Sequence, residues 1–383
     1  MVSAIGSDTD SFWESLLTGR SGVSEVSTFD TTPFATSIGC EIRGFAASGG
    51  ENEPGRAARL AIAASRQALA QARLEGDDLE ATGLAVGTTM GESCWLEAWS
   101  DADVRAGTAP LEDLVRSSPD RIGADVAAEL RLGGRTTVLG GACAAGNYAL
   151  GYALDQLRLG RAERIVAGGT DAFSRVAYMG FARLGALARG TCRPFSADRD
   201  GIIIGEGAAF LVLETAESAR ARGAEVLAEL VGVGLSTDAY HIVSPDPTGS
   251  GAARATAAAL DDAGLEPGDI GWISAHGTGT IANDRAEVAA VQAVFGRTKT
   301  PMSSIKALTG HALGASSALE AVASVLALRS QVAPPTWNYT AQDPDCVWDV
   351  VPNEPRPFDA DAVMSNAYAF GGCNASIVIR LDH

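Results

Sequence analysis

Thr136-Thr137-Val138-Leu139-Gly140-Gly141-Ala142-Cys143-Ala144-Ala145-Gly146-Asn147-Tyr148-Ala149-Leu150 is the stretch on which the fold turns. Thr136–Gly140 is β-branched and short enough for a strand. Two glycines interrupt it, and the apolar segment from Cys143 to Leu157 has helical length, so the reading is strand, turn, helix. The same succession recurs in both directions. Gly83–Thr89 reads as a strand running into a glycine turn, and Arg164–Ala167 as another, closed by a turn at Gly168-Gly169. Later come a strand over Val226–Gly234, an alanine-rich helix over Gly251–Ala263 and a strand over Ile270–Ala275. Helices over Arg285–Phe295 and His311–Arg329 follow, then closing strands over Val363–Asn366 and Ala375–Ile379. Alternation of this kind marks a layered α/β protein. No run of Pro, Ser or Gly separates its two parts, so two similar units packed into one body are expected, residues 1–224 and 225–383.

At 383 residues the chain can bury a large core, near the point where single cores of roughly 250–300 residues give way to fused units. Its 46% hydrophobic and 20% charged residues are a globular composition. No apolar run reaches the roughly 18 residues that span a bilayer. No basic region followed by a hydrophobic block opens the chain, so a cytoplasmic location is expected. Six scattered cysteines form neither a disulfide framework nor a CxxC metal cluster. A net charge of −18 argues against nucleic acid and anionic membrane as partners.

The chain holds four histidines, at 241, 276, 311 and 383, the last terminal. His276 and His311 stand among glycines, in Ser274-Ala275-His276-Gly277-Thr278-Gly279-Thr280 and Thr309-Gly310-His311-Ala312-Leu313-Gly314. Cys143 stands after a strand, at the first turn of an apolar helix. There the helix N-terminus would lower a thiol pKa, and free N–H groups could hold an oxyanion. A small buried core residue fits Cys143 equally well on residue type alone. The other cysteines read as packing residues, with Cys373 placed to line the site without reacting. Asn283 and Asp284 read as helix caps, Phe195 and Tyr240 as core aromatics or pocket walls, and Asp198-Arg199-Asp200 as a solvated charged turn.

Taken in order, several segments carry a resemblance over nearly the whole chain. They are Gly141-Ala142-Cys143-Ala144-Ala145-Gly146, Ala167-Gly168-Gly169-Thr170-Asp171, and Cys192-Arg193-Pro194-Phe195-Ser196-Ala197-Asp198-Arg199-Asp200-Gly201 with Gly205-Glu206-Gly207-Ala208. Ser236-Thr237-Asp238-Ala239-Tyr240-His241, the two histidine motifs and Asn366-Ala367-Tyr368-Ala369-Phe370-Gly371-Gly372-Cys373-Asn374 complete the set. The chain resembles the elongating β-ketoacyl-acyl carrier protein synthases of the thiolase superfamily. That resemblance implies a thiolase-like α/β fold, two similar halves packed as an α-β-α-β-α body. It implies decarboxylative Claisen condensation in type II polyketide or specialised fatty acid synthesis.

By the same resemblance Cys143 is the acylated nucleophile, and His276 and His311 support malonyl decarboxylation. Lys306, paired with Glu320, holds the histidine region. Phe370 gates acyl entry and shares the oxyanion hole with the N–H of Cys143. Thr278, Thr280, Gly371 and Gly372 contact substrate, and Asp198-Arg199-Asp200 becomes a structural ion-pair segment near a dimer seam. The phosphopantetheine arm arrives with acyl carrier protein, and no bound cofactor or metal is called for. The partner subunit is a second copy or a chain-length-factor-like chain. Because carrier proteins are acidic, docking on this acidic chain needs local arginines, for which Arg56, Arg59, Arg73, Arg183 and Arg189 are candidates.

Three departures from the family pattern stand out. The chain starts just after the family's usual first strand, so either the strand is absent and a sheet edge lies open, or the start lies upstream. Tyr368-Ala369 replaces the usual phenylalanine and glycine before Phe370. The stretch Leu187–Cys192 is short, and Thr88–Trp95 carries bulky residues, as in a synthase of specialised metabolism. Two rivals are a non-elongating acyltransferase and a ketosynthase-like partner subunit, and both leave the paired histidines unused.

Overall fold

The computed structural model describes residues 1–45, 53–107 and 111–382; His383 lies outside them. Two five-stranded sheets dominate. The first contains β1 (Val2–Ser3), β2 (Gly83–Thr88), β3 (Thr136–Gly140), β4 (Arg164–Asp171) and β5 (Gly207–Glu214). The second contains β6 (Glu229–Thr237), β7 (Ile270–Ser274), β8 (Met302–Ser303), β9 (Ala362–Tyr368) and β10 (Cys373–Arg380).

In space the orders are β3-β2-β4-β5-β1 and β8-β7-β9-β10-β6. Both read parallel, parallel, antiparallel, antiparallel from the first-named edge. Each strand of the second sheet therefore repeats the one five places earlier in the chain. The fold is α/β, built from two copies of one topology.

Seven of the helices frame the sheets and the site: α1 (Arg56–Ala72), α2 (Asp120–Leu130), α3 (Ala145–Arg158), α4 (Arg175–Arg183), α5 (Ser250–Ala263), α6 (Ile281–Phe295) and α7 (Ser316–Ser330). α3 and α7 contact each other and strands of both sheets, so they form the middle layer. α7 is buried on almost every face, as a helix sandwiched between two sheets must be. α1 and α2 cover the first sheet outside, α5 and α6 the second. The layers are thus α-β-α-β-α, and the loops before α3 and α7 meet at the centre.

Several expected boundaries shift. Gly168 and Gly169 do not close a turn; β4 continues through them to Asp171. A Cβ at 168 would stand 1.9 Å from the Ala209 carbonyl oxygen, and one at 169 would stand 2.5 Å from that of Gly314. The glycines let a fully buried strand be approached from both sides. β6 begins later than expected and runs to Thr237, because it pairs with β10 down to the Thr237–Cys373 register. β9 and β10 outrun the expected closing strands. α6 begins at Ile281, where Thr280 rather than Asn283 or Asp284 caps it. His311 lies ahead of a 3-10 turn, Leu313–Ala315, not inside α7.

At the N-terminus Val2 pairs with Ala208 and Ser3 with Gly207, so two residues occupy the edge that seemed open. The opposite edge, β3, is only partly covered. No helix among the described residues is long and apolar enough to cross a membrane.

Candidate active site

Cys143 stands in the 3-10 turn Ala142–Ala144 between β3 and α3. Ala142 is held at φ +46, a left-handed conformation that costs a residue bearing a Cβ about 1–3 kcal/mol. The corresponding turn before α7 shows the same feature at Leu313, φ +51. Both turns present their residues to the seam between the two copies. Cys143 is 5% exposed, and its thiol is met by the backbone N–H groups of Cys143 and Phe370.

Burial pushes the Cys143 pKa up to about 12, against the pull of Lys306 and those two N–H groups. This corrects the expected low thiol pKa. A helix end, screened and a few tenths of a charge, does not offset the loss of water around a buried thiolate. In the resting protein Cys143 is a thiol.

His276 lies two residues after β7, and His311 follows the short helix Lys306–Thr309. Their rings lie 5.5 Å apart, nearly perpendicular. Lys306, 1% exposed, donates to the His276 carbonyl oxygen at 2.6 Å, stands 3.3 Å from His276 Nδ1, and pairs with Glu320. An ammonium can only donate, so His276 Nδ1 accepts and Nε2 carries the hydrogen. His311 Nδ1 lies 2.9 Å from the Ser316 hydroxyl, which fixes the orientation of the ring. Burial and the Lys306 charge hold both imidazoles neutral, with pKa values well below 6.5. Two neutral imidazoles therefore stand side by side, their ring centres 5.5 Å apart.

Other polar residues, not singled out from the sequence, hold this arrangement. Glu287 on α6 accepts the backbone N–H groups of His276 and Gly277, each at 2.7 Å. Asp171, fully buried at the end of β4, accepts from the Thr88 hydroxyl and from the N–H groups of Thr89, Met90 and Gly314. It ties the Thr88–Trp95 segment to the loop behind His311. Phe181 on α4 packs on Phe370 at 5.2 Å and on His311 at 6.5 Å.

Thr278 is buried and Thr280 half-buried, their hydroxyls 3.0 Å apart, and Thr280 is also the cap of α6. Gly371 and Gly372 follow Phe370 at φ +80 and +74. Asp284 is no exposed cap: it is fully buried, accepts from Phe195 N, and pairs with buried Arg199. Arg199 also binds Asp343 at 2.6 Å, so it is a structural ion-pair centre rather than part of a solvated turn, although Asp198 and Asp200 are exposed. Phe195 is core, and Tyr240 is exposed. Of the arginines considered for docking, Arg56 is committed to Glu206 through two bonds of 2.7 Å. Arg73, Arg183 and Arg189 are exposed, and Arg183 ends the helix that carries Phe181.

Two expected outcomes follow from these contacts. Lys306→Met leaves the Glu320 carboxylate buried beside an apolar chain. Breaking such a pair costs about 3–5 kcal/mol when the remaining group stays charged. Burial already raises Glu320 to about 7 with Lys306 pulling it down, so without Lys306 it rises further. A carboxyl whose folded pKa lies above its unfolded one loses stability as pH rises between the two. Calorimetry should therefore show the variant's melting deficit against the parent growing as pH rises above about 7. Secondly, with both histidines neutral far below 6.5, the rate of a step that uses them as neutral donors should stay flat from about pH 8 to about pH 6 and fall only below that. A rate that halves near pH 6.5 would contradict the assigned neutral pair.

Residues 1–219 match the family model described as β-ketoacyl synthase, N-terminal domain, and residues 227–340 match its C-terminal domain. Nodulation protein E of Rhizobium sp. (strain N33) is 40% identical over 387 residues, covering 98% of this chain and 96% of that one. The 3-oxoacyl-[acyl-carrier-protein] synthase 2 of Staphylococcus aureus (strain N315) is 36% identical over 399 residues, covering 99% and 96%. Among solved structures, the ishigamide ketosynthase/chain length factor superposes with a TM-score of 0.95 at 41% identity, covering 100% of this chain and 97% of that one. A doubled thiolase-type topology, a cysteine between two backbone donors and two neutral histidines thus coincide with similarity along the whole chain: it belongs to the β-ketoacyl synthase family and is an enzyme of that condensing kind.

Proposed function

We propose that the chain condenses an acyl group held on Cys143 with malonyl-acyl carrier protein, giving 3-oxoacyl-acyl carrier protein and carbon dioxide. The observation that carries this reading is the pair of neutral imidazoles with ring centres 5.5 Å apart, on the seam where the turn of Cys143, a cysteine with its own backbone donors, meets the turn after His311. A transfer to water needs one base, whereas an enolate needs donors at its oxygen.

In the first half-reaction Cys143 sulfur bonds to the acyl carbon and the carbon–sulfur bond to the pantetheine arm breaks. The proton leaving Cys143 ends on the pantetheine sulfur, so the exchange is proton-neutral and a high resting thiol pKa does not forbid it. In the second, the malonyl carboxylate leaves as carbon dioxide and its bonding pair becomes an enolate, whose oxygen His276 and His311 hold. The enolate carbon attacks the acyl-cysteine carbonyl. The N–H groups of Cys143 and Phe370 hold the resulting oxyanion, and collapse expels the Cys143 thiolate, which takes up one proton from solvent to return to the resting thiol. No step as balanced consumes a metal ion or a redox cofactor; the pantetheine arm belongs to the substrate.

Thr278 and Thr280 lie on the His276 side and are assigned to the pantetheine amides; Gly371 and Gly372 are assigned to the gate. Residues 1–224 supply the nucleophile and 225–383 both histidines. The relative named for a chain length factor, and the partly covered edge strand β3, support a dimer with a second copy or with such a subunit. A cytoplasmic location fits a carrier-protein substrate. The test is stoichiometric. With acyl-carrier protein and carboxyl-labelled malonyl-carrier protein, each 3-oxoacyl product should appear with one labelled carbon dioxide. Free acid appearing instead would point to the hydrolytic alternative.

A further inference from the structure

Resting on that reading, the gate at Phe370 has an unusual base. Phe370 is 37% exposed, and its backbone N–H meets the buried Cys143 thiol. Two residues earlier Tyr368 closes β9, paired across to Asn374. Its ring is buried against Ala252 and Ala290 of α5 and α6 and meets the His276 ring edge-on at 6.1 Å. Its hydroxyl lies 3.2 Å from the Thr256 hydroxyl of α5. Thr256 continues to Ser376 at 3.4 Å, and Ser376 donates to Asn366 at 2.7 Å. Four side chains thereby join the last turns of β9 to β10 and to the outer helix.

Ala369 is the only residue between this anchor and Phe370. It is extended, at φ −122 and ψ 158, so alanine sits there without strain. Its N–H donates to the Cys373 carbonyl at 2.9 Å, and its carbonyl accepts from Gly372 at 3.0 Å. Swinging Phe370 about the 369 side would break both bonds and turn a backbone that carries a Cβ. On the other side, Gly371 donates its N–H to the Ile242 carbonyl at 2.9 Å and meets nothing within 4 Å where a Cβ would be. Turning that side breaks one bond in a backbone without a Cβ, whereas the 369 side must break two and turn a residue that carries one.

We propose that the Tyr368–Thr256 hydroxyl contact is a latch that restricts the Phe370 gate to a narrow opening and so selects slim, unbranched acyl groups for transfer to Cys143. Tyr368 acts here as a specificity-determining residue that works through Phe370. A phenylalanine in its place keeps the ring beside His276 and loses only the latch.

The test uses the full-length protein and two variants, Tyr368→Phe and Thr256→Val, the second lying outside the reacting groups. Alkylation of Cys143 by iodoacetamide and by a bulky N-aryl maleimide, read by peptide mass, reports gate opening without any carrier protein. The maleimide-to-iodoacetamide rate ratio should rise about tenfold in both variants, the scale of one neutral hydrogen bond, with iodoacetamide changing less than about twofold. An unchanged ratio in both variants overturns the latch. So does an equal acceleration of both reagents, which would mean general loosening. In the second arm, straight and branched hexanoyl-carrier proteins compete for Cys143, and the variants should lose preference for the straight chain. A shifted maleimide ratio with unchanged acyl preference overturns the role in selection. Failure of all proteins to take any acyl group counts against the condensing reading, while the alkylation arm still judges the latch.

Discussion

Cys143→Ala is expected to show no acyl adduct and to lose 3-oxoacyl formation by about ten-thousand-fold or more, because the covalent step has no substitute nucleophile. The other described cysteines are poor replacements. Cys40 and Cys192 are fully buried in a separate apolar cluster, and burial raises both thiols. Cys94 and Cys346 belong to other clusters. Cys373, beyond the gate, contacts Tyr148 rather than the pair of backbone donors. The fold should tolerate the change, since alanine fills most of the thiol's space. Malonyl decarboxylation should survive, because His276 and His311 are oriented by Lys306 and Ser316 and not by the cysteine. Carbon dioxide release without condensed product is the signature to measure. Loss of both together would mean that the histidines need the sulfur.

His311→Ala is expected to separate the half-reactions in the opposite sense. Acyl transfer to Cys143 draws on the N–H groups of Cys143 and Phe370, which this substitution leaves in place. Enolate formation loses one of its two donors, and removal of one such donor costs about a hundred- to thousand-fold. Acyl-cysteine should accumulate, visible by intact mass, while condensation falls by that factor. Part of any fall could come from Phe181, which packs on His311 and on the gate. His311→Gln keeps more of the volume, and comparing the two variants separates packing from hydrogen bonding. Equal loss of acylation and condensation would contradict the role given to His311.

Cys143, His276 and His311 are legible because each sits among unusual glycines, whereas Lys306 and Glu320 enter only through the family resemblance. Glu287, Ser316 and Asp171 do as much to hold the site, yet a lone carboxylate or hydroxyl on a helix or strand end looks like any solvated one. Only the tertiary structure shows Glu287 facing the His276 backbone. The doubled topology was visible as alternating strands and helices. Its boundaries moved where pairing decided them: Gly168-Gly169 looks like a turn locally and is a strand because two backbones press on it.

The thiol pKa was misjudged for a related reason. A helix N-terminus can be read from sequence, but burial cannot, and burial is the larger effect at Cys143. Arg56 likewise looked available for docking and is held by Glu206. In each case the missing information was which groups lose water, a property of the packed chain and not of any segment.

The central claim is that Cys143 carries the acyl group into a decarboxylative condensation. It is tested most directly by following the mass of the Cys143 peptide through two additions. Acyl-carrier protein should first shift the peptide by the acyl mass. Malonyl-carrier protein should then return it to its free mass while a 3-oxoacyl-carrier protein two carbons longer appears. A peptide that never takes the acyl group, or one that loses it only as free acid, would contradict the account.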